Sequence, residues 1–99
     1  RLDMASVKVN ILKIVDDTGY PTFVEFELID SNGISHHFID KLPIISADDD
    51  LVPPRIGEMG CTIAGKTETT FIIDTALPYD IESLNGEYQF EVNKEQVIL

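Results

Sequence analysis

Apolar and polar residues alternate with a period of two along most of this chain, the spacing of half-buried strands rather than helices. Val7, Val9 and Ile11 fall on one face, with Lys8 and Asn10 on the other. The phase then slips, because Leu12 and Ile14 form the next apolar pair. Such a slip predicts a β-bulge, or a strand buried on both faces late in its run. Residues 22–30 give the clearest strand, with Val24, Phe26 and Leu28 opposite Glu25 and Glu27. Ser31-Asn32-Gly33 follows as a tight hairpin turn, with positive φ expected at both Asn32 and Gly33. Residues 34–40 read as the returning strand. Residues 42–46 read as a further extended segment, with Pro43 marking an edge or a break. Strands are predicted again over 58–64, 69–74 and 87–92, the last with Tyr88, Phe90 and Val92 inward. The tail from 93 to 99 reads as one helical turn or a last short strand.

Longer irregular stretches interrupt this pattern. Residues 46–57 carry Asp48-Asp49-Asp50 and Pro53-Pro54, and paired prolines favour an extended path over a helix. Residues 75–86 carry Pro78, Tyr79 and Asn85-Gly86. No segment shows a long amphipathic helical pattern, and the 99 residues suffice for one domain. The expected fold is all-β: a small five- to six-stranded antiparallel barrel, with a small β-sandwich as the alternative. Closure would remove the open edges that a flat sheet leaves. Residues 1–6 are expected as a flexible N-terminus, with a natural start at Met4-Ala5-Ser6 and Arg1 to Asp3 as added residues. Residues 7–99 are expected to form the barrel domain.

Charge narrows the function. Eighteen acidic residues face seven basic ones, a formal charge of −11. Such a chain repels phosphate backbones and anionic lipid, so nucleic-acid and membrane-surface binding are excluded. No apolar run is long enough to span a membrane, and no leader-type apolar stretch opens the chain, so a cytoplasmic home is expected. The single cysteine, Cys61, rules out an intramolecular disulfide. It alternates with Met59 and Ile63, which predicts a buried strand thiol.

Candidate chemistry is sparse. Residues 60–67 (Gly-Cys-Thr-Ile-Ala-Gly-Lys-Thr) match G-x-x-x-x-G-K-[ST] in full. A phosphate cradle, however, needs a helix N-terminus after the loop. Here Thr69, Thr70, Phe71, Ile72 and Ile73 follow, which are strand formers. His36 and His37 are adjacent, so on a strand they point to opposite faces and cannot chelate one ion. One is expected beside aromatics and the other toward solvent. No serine or cysteine nucleophile is paired with a histidine in the pattern, and Asp48-Asp49-Asp50 lacks the spacing and glycine of a calcium loop. Arg55, set among acids, is expected to join a local ion pair. Tyr79, Asp80 and Glu82 place an aromatic ring beside acids in a loop, a surface suited to a basic partner. Alternatively, Tyr79 and Ile81 cap one barrel end.

Four segments read together: Phe23-Val-Glu-Phe-Glu-Leu-Ile-Asp30, His37-Phe-Ile-Asp-Lys-Leu-Pro-Ile44, Pro78-Tyr-Asp-Ile-Glu-Ser83 and Tyr88-Gln-Phe-Glu-Val92. They resemble a family of standalone bacterial all-β proteins of about this size, over most of the chain from Val7 to Gln96. That resemblance implies a small barrel, similar in outline to the β-barrel domains of translation elongation factors, and no assigned activity or catalytic residues.

The functional expectation is a non-enzymatic, acidic binding module without cofactor or metal. It contacts a basic protein in an immunity-type or adaptor role, through Asp48, Asp49, Asp50, Arg55, Tyr79, Asp80 and Glu82. The alternative is a small-ligand or metal-assisted enzyme using His36 or His37.

Overall fold

The computed structural model describes residues 3–48 and 50–99. It contains strands β1 (Met4–Asp16), β2 (Phe23–Ile29), β3 (Ser35–Lys41), β4 (Arg55–Lys66), β5 (Thr70–Asp74), β6 (Gln89–Asn93) and β7 (Val97–Ile98). All pairings are antiparallel, in the order β3-β2-β1-β4-β5-β6, with β7 added to β1. The long β1 serves both halves. Its first part pairs with β4, its last part with β2, and Ser6 and Val7 with β7. Because β7 follows β6 yet returns to β1, the sheet is curled. The fold is thus all-β and barrel-like, one continuous sheet rather than the two of a sandwich.

The phase slip in β1 is a bulge. Ile11 faces Phe26 and Lys13 faces Glu25, leaving Leu12 as the extra residue. Inward residues of the sheet build the core: Val7, Val9, Ile11, Val24, Phe26, Leu28, Phe38, Met59, Cys61, Ile73, Phe90 and Val92. Phe26 stacks on Phe38 at 5.1 Å, and Phe38 meets Phe90 edge-on at 5.7 Å. Phe90 lies on β6 and Phe38 on β3, so these rings join the two end strands of the sheet from inside.

Several local expectations are corrected. Met4, Ala5 and Ser6 are not a free terminus, since they pair with Thr62, Cys61 and Gly60 of β4; Arg1 and Leu2 lie outside the described residues. Leu42–Ile44 is a 3-10 turn rather than an extended segment. Pro43 fits there because the first turn needs no N–H from it. The fourth strand begins at Arg55, within the stretch expected to be irregular. Tyr88 precedes β6, and its hydroxyl reaches Asp80 instead of the core. The tail holds both alternatives, a 3-10 turn Lys94–Gln96 and then β7.

In the β2–β3 turn only Gly33 has positive φ, at 78°. The carbonyl of Asp30 accepts the Gly33 N–H, and its carboxylate accepts the N–H groups of Asn32 and Ile34. An acidic side chain and one left-handed glycine thus close the turn, a wider loop than a two-residue hairpin.

Alternating direction sorts the connections. β1, β3 and β5 run the same way, so residues 17–22, 42–54 and 75–88 leave at one end, here the loop end. Residues 30–34, 67–69 and 94–96 leave at the other, the turn end.

Candidate functional site

The loop end gathers most of the residues singled out in the sequence. Residues 42–54 cross from β3 to β4 and bury Leu42, Ile45 and Leu51 in the core. Glu58 donates its N–H to the Ile45 carbonyl. Gly57 beside it has no room for a side chain, because an added Cβ would lie 2.6 Å from that same oxygen. Within the crossing, the Ser46 hydroxyl accepts the Asp48 N–H, and the Asp48 carboxylate accepts the Asp50 N–H. Arg55 Nη2 lies 3.5 Å from Asp48 Oδ2, the local ion pair expected of it. Asp49 lies outside the described residues.

Residues 75–88 are anchored just as firmly. Ile81 is buried, and the buried Thr75 hydroxyl donates to the Ile81 carbonyl. Asp80 adopts φ 54°, and its carboxylate accepts the Tyr88 hydroxyl at 2.8 Å. That hydrogen bond raises the Tyr88 phenol above its ordinary pKa. Of the two residues read as alternative caps of the barrel end, Ile81 is buried. Tyr79 is 52% exposed, and its ring edge lies with Pro78 over Gly60 of β4. Glu82 points to solvent. Both loops therefore rest on β4, one at Gly57 and the other at Gly60.

Exposed apolar side chains stand among the acids here: Val52 at 73%, Tyr20 at 84%, and Leu77 beside Tyr79. Two bases at this end, Lys41 and Arg55, are engaged by Asp40 and Asp48. A cleft of about 450 Å³ opens beside the crossing, lined by Lys8, Pro43, Ile44, Ile56 and Glu58 among others.

The histidines part as expected. His36 points inward at the edge of the core, its ring 4.8 Å from Phe90, and its Nε2 donates to Asp30 Oδ2 at 2.8 Å. His37 points outward into a polar chain across three strands. Its Nδ1 donates to Glu25 Oε2 at 3.0 Å, and its Nε2 lies 3.2 Å from Ser35 Oγ. Lys13 approaches Glu25, and Asn10 reaches Glu27.

Ser35, His37 and Glu25 thus stand in the order nucleophile, base, orienting acid. This corrects the expectation that no serine is paired with a histidine. The signal was the i, i+2 spacing, which puts Ser35 and His37 on one strand face. The hydroxyl proton of Ser35 has a nearer acceptor than the imidazole. Ser35 donates its hydroxyl proton to Glu27 Oε1 at 2.7 Å, nearer than the imidazole nitrogen at 3.2 Å, so the hydroxyl is directed at the carboxylate rather than at His37.

Other motifs resolve into structure. Residues 60–66 lie within β4, and Thr67 closes the β4–β5 hairpin by bonding to Thr69 and Thr70. No helix N-terminus follows, so the glycine-lysine pattern cradles no phosphate. Cys61 is buried, and burial pushes its thiol up to about 11. Among the described residues no three of His, Cys, Asp and Glu could hold a metal ion, and no helix is long and apolar enough to cross a membrane. No protein-family model, curated protein or solved structure matches this chain.

Proposed function

We propose that this protein is a non-enzymatic acidic binding module of the cytoplasm that contacts a basic protein, in an immunity-type or adaptor role. The observation that carries this reading is that two anchored acidic connections leave the sheet at the same end. One connection exposes Asp48, Asp50 and Val52, and the other exposes Leu77, Tyr79, Asp80 and Glu82. Excess acid steers a basic partner and speeds encounter. An exposed tyrosine supplies contact area at low entropic cost. Loops already pinned by Leu51 and Ile81 lose little further freedom on binding. Arg55 belongs to the same connection through its ion pair with Asp48, and Asp49 lies outside the described residues.

The test is capture of a partner at low salt, followed by titration of that partner at two ionic strengths. Affinity should fall as salt screens the charges, and Glu82→Lys, Asp50→Lys and Tyr79→Ala should each weaken it. Affinity indifferent to salt and to all three substitutions would overturn the reading.

A further inference from the structure

The end strands β3 and β6 face each other without a ladder between them. Among the described residues, only a few hydrogen bonds cross this seam. Ser31 N–H donates to the Glu91 carbonyl, Leu84 N–H to the His37 carbonyl, and the Gln96 side chain to the Ile29 carbonyl. His36 sits in the same gap. Its side chain is 14% exposed, and its ring lies against Phe90 of β6. From the β2–β3 turn it faces Asp30, with Nε2 2.8 Å from Oδ2. From the 75–88 connection it faces Glu87, with Nδ1 3.8 Å from Oε1. From β2 its cross-strand neighbour is the buried Leu28.

Asp30 and Glu87 thus approach one imidazole from opposite sides of the seam. Among the described residues, no lysine or arginine is paired with either carboxylate. A neutral ring with its proton on Nε2 serves Asp30 alone. An imidazolium also attracts Glu87, whose Oε1 lies at ion-pair distance from Nδ1, 3.8 Å.

We propose that His36 is a pH-sensitive latch: when protonated it clamps the β2–β3 hairpin to the connection that precedes β6, and when neutral it lets this seam loosen. Loosening is local. It uncovers the edges of β3 and β6, while the β1–β4 and β1–β2 ladders stay formed. His37 contributes only its backbone carbonyl to the seam, so it acts as an internal control.

The experiment is amide hydrogen exchange at Ser31 and Leu84, with each rate divided by the unstructured rate at the same pH. Measurements at pH 5.5 and 8 bracket the ordinary imidazole titration. In the unmodified protein, protection should fall about threefold to fivefold between the two, the change expected when a partly exposed ion pair is lost. His36→Gln should abolish the difference and His37→Gln should keep it. Glu87→Gln, at a half-exposed position, removes the one carboxylate that His36 meets across the seam, so it should abolish most of the difference, and it decides the matter alone if His36→Gln does not fold. Equal protection at both pH values in the unmodified protein, an undiminished change in Glu87→Gln, or a change lost in His37→Gln, would overturn the latch.

Discussion

The two ends of this barrel are built on different principles. At the turn end, each connection carries its own closure. Asp30 and Gly33 close one turn, and Thr67 closes another through bonds to Thr69 and Thr70. At the loop end, residues 42–54 and 75–88 are held by what they bury: Leu42, Ile45 and Leu51 in one, Ile81 in the other. Local hydrogen bonds suffice for a short turn. A long connection must offset far more chain entropy, and burying aliphatic side chains is what does so. The surface that carries the proposed partner contacts is therefore part of the core on its inner side.

That contrast is sharpest at Ile81. Ile81→Ala should cost about 2–5 kcal/mol in urea unfolding, as for other fully buried aliphatics. A loss near zero would mean that residues 75–88 lie on the core without belonging to it. Gly57→Ala comes next, at about 1–3 kcal/mol, because the new Cβ would meet the Ile45 carbonyl rather than a movable side chain. At the turn end, Gly33→Ala should cost about 1–2 kcal/mol from its positive φ alone. Gly19→Ala, in open space, is the matched control and should change little.

Asp30 adds a pH signature to the turn end. Burial works to raise its carboxyl pKa, but bonds from His36 and from the Ile34 and Asn32 amides outweigh this and hold it below the ordinary value. A carboxyl depressed in the folded state stabilises above its unfolded pKa, and that contribution is lost as pH falls through the folded one. The stability gap between the unmodified protein and Asp30→Asn should thus be full at neutral pH and close in acid. A gap that widened in acid would contradict the bond pattern. The smallest effect is expected at the loop-end surface, where Arg55→Ala should cost about 0–1 kcal/mol, since both partners of its ion pair are about half exposed.

Much of the candidate site was legible in residue order, but its assembly was not. The Arg55 ion pair, the buried Cys61 and the opposed histidines follow from strand alternation and local charge. Ser35 and His37 were equally legible by spacing, yet the proton's destination depends on Glu27 of the neighbouring strand. Neither the 3-10 turn at Leu42 nor the early start of β4 could be read locally. The first is settled by packing into the core, the second by pairing with β1.

Periodicity by itself determined the all-β class, the inward faces of β1 and β2, the inward Phe90 and Val92 of β6, and a phase slip after Ile11 for which a bulge is one of two readings. These depend only on which way successive side chains point. Tertiary structure decided the strand order, the return of β7 to β1 and the seam between β3 and β6. It also decided that the two acidic loops share one end. Those features rest on contacts between residues far apart in the chain, and neither local propensity nor alternation encodes which strand edge meets which.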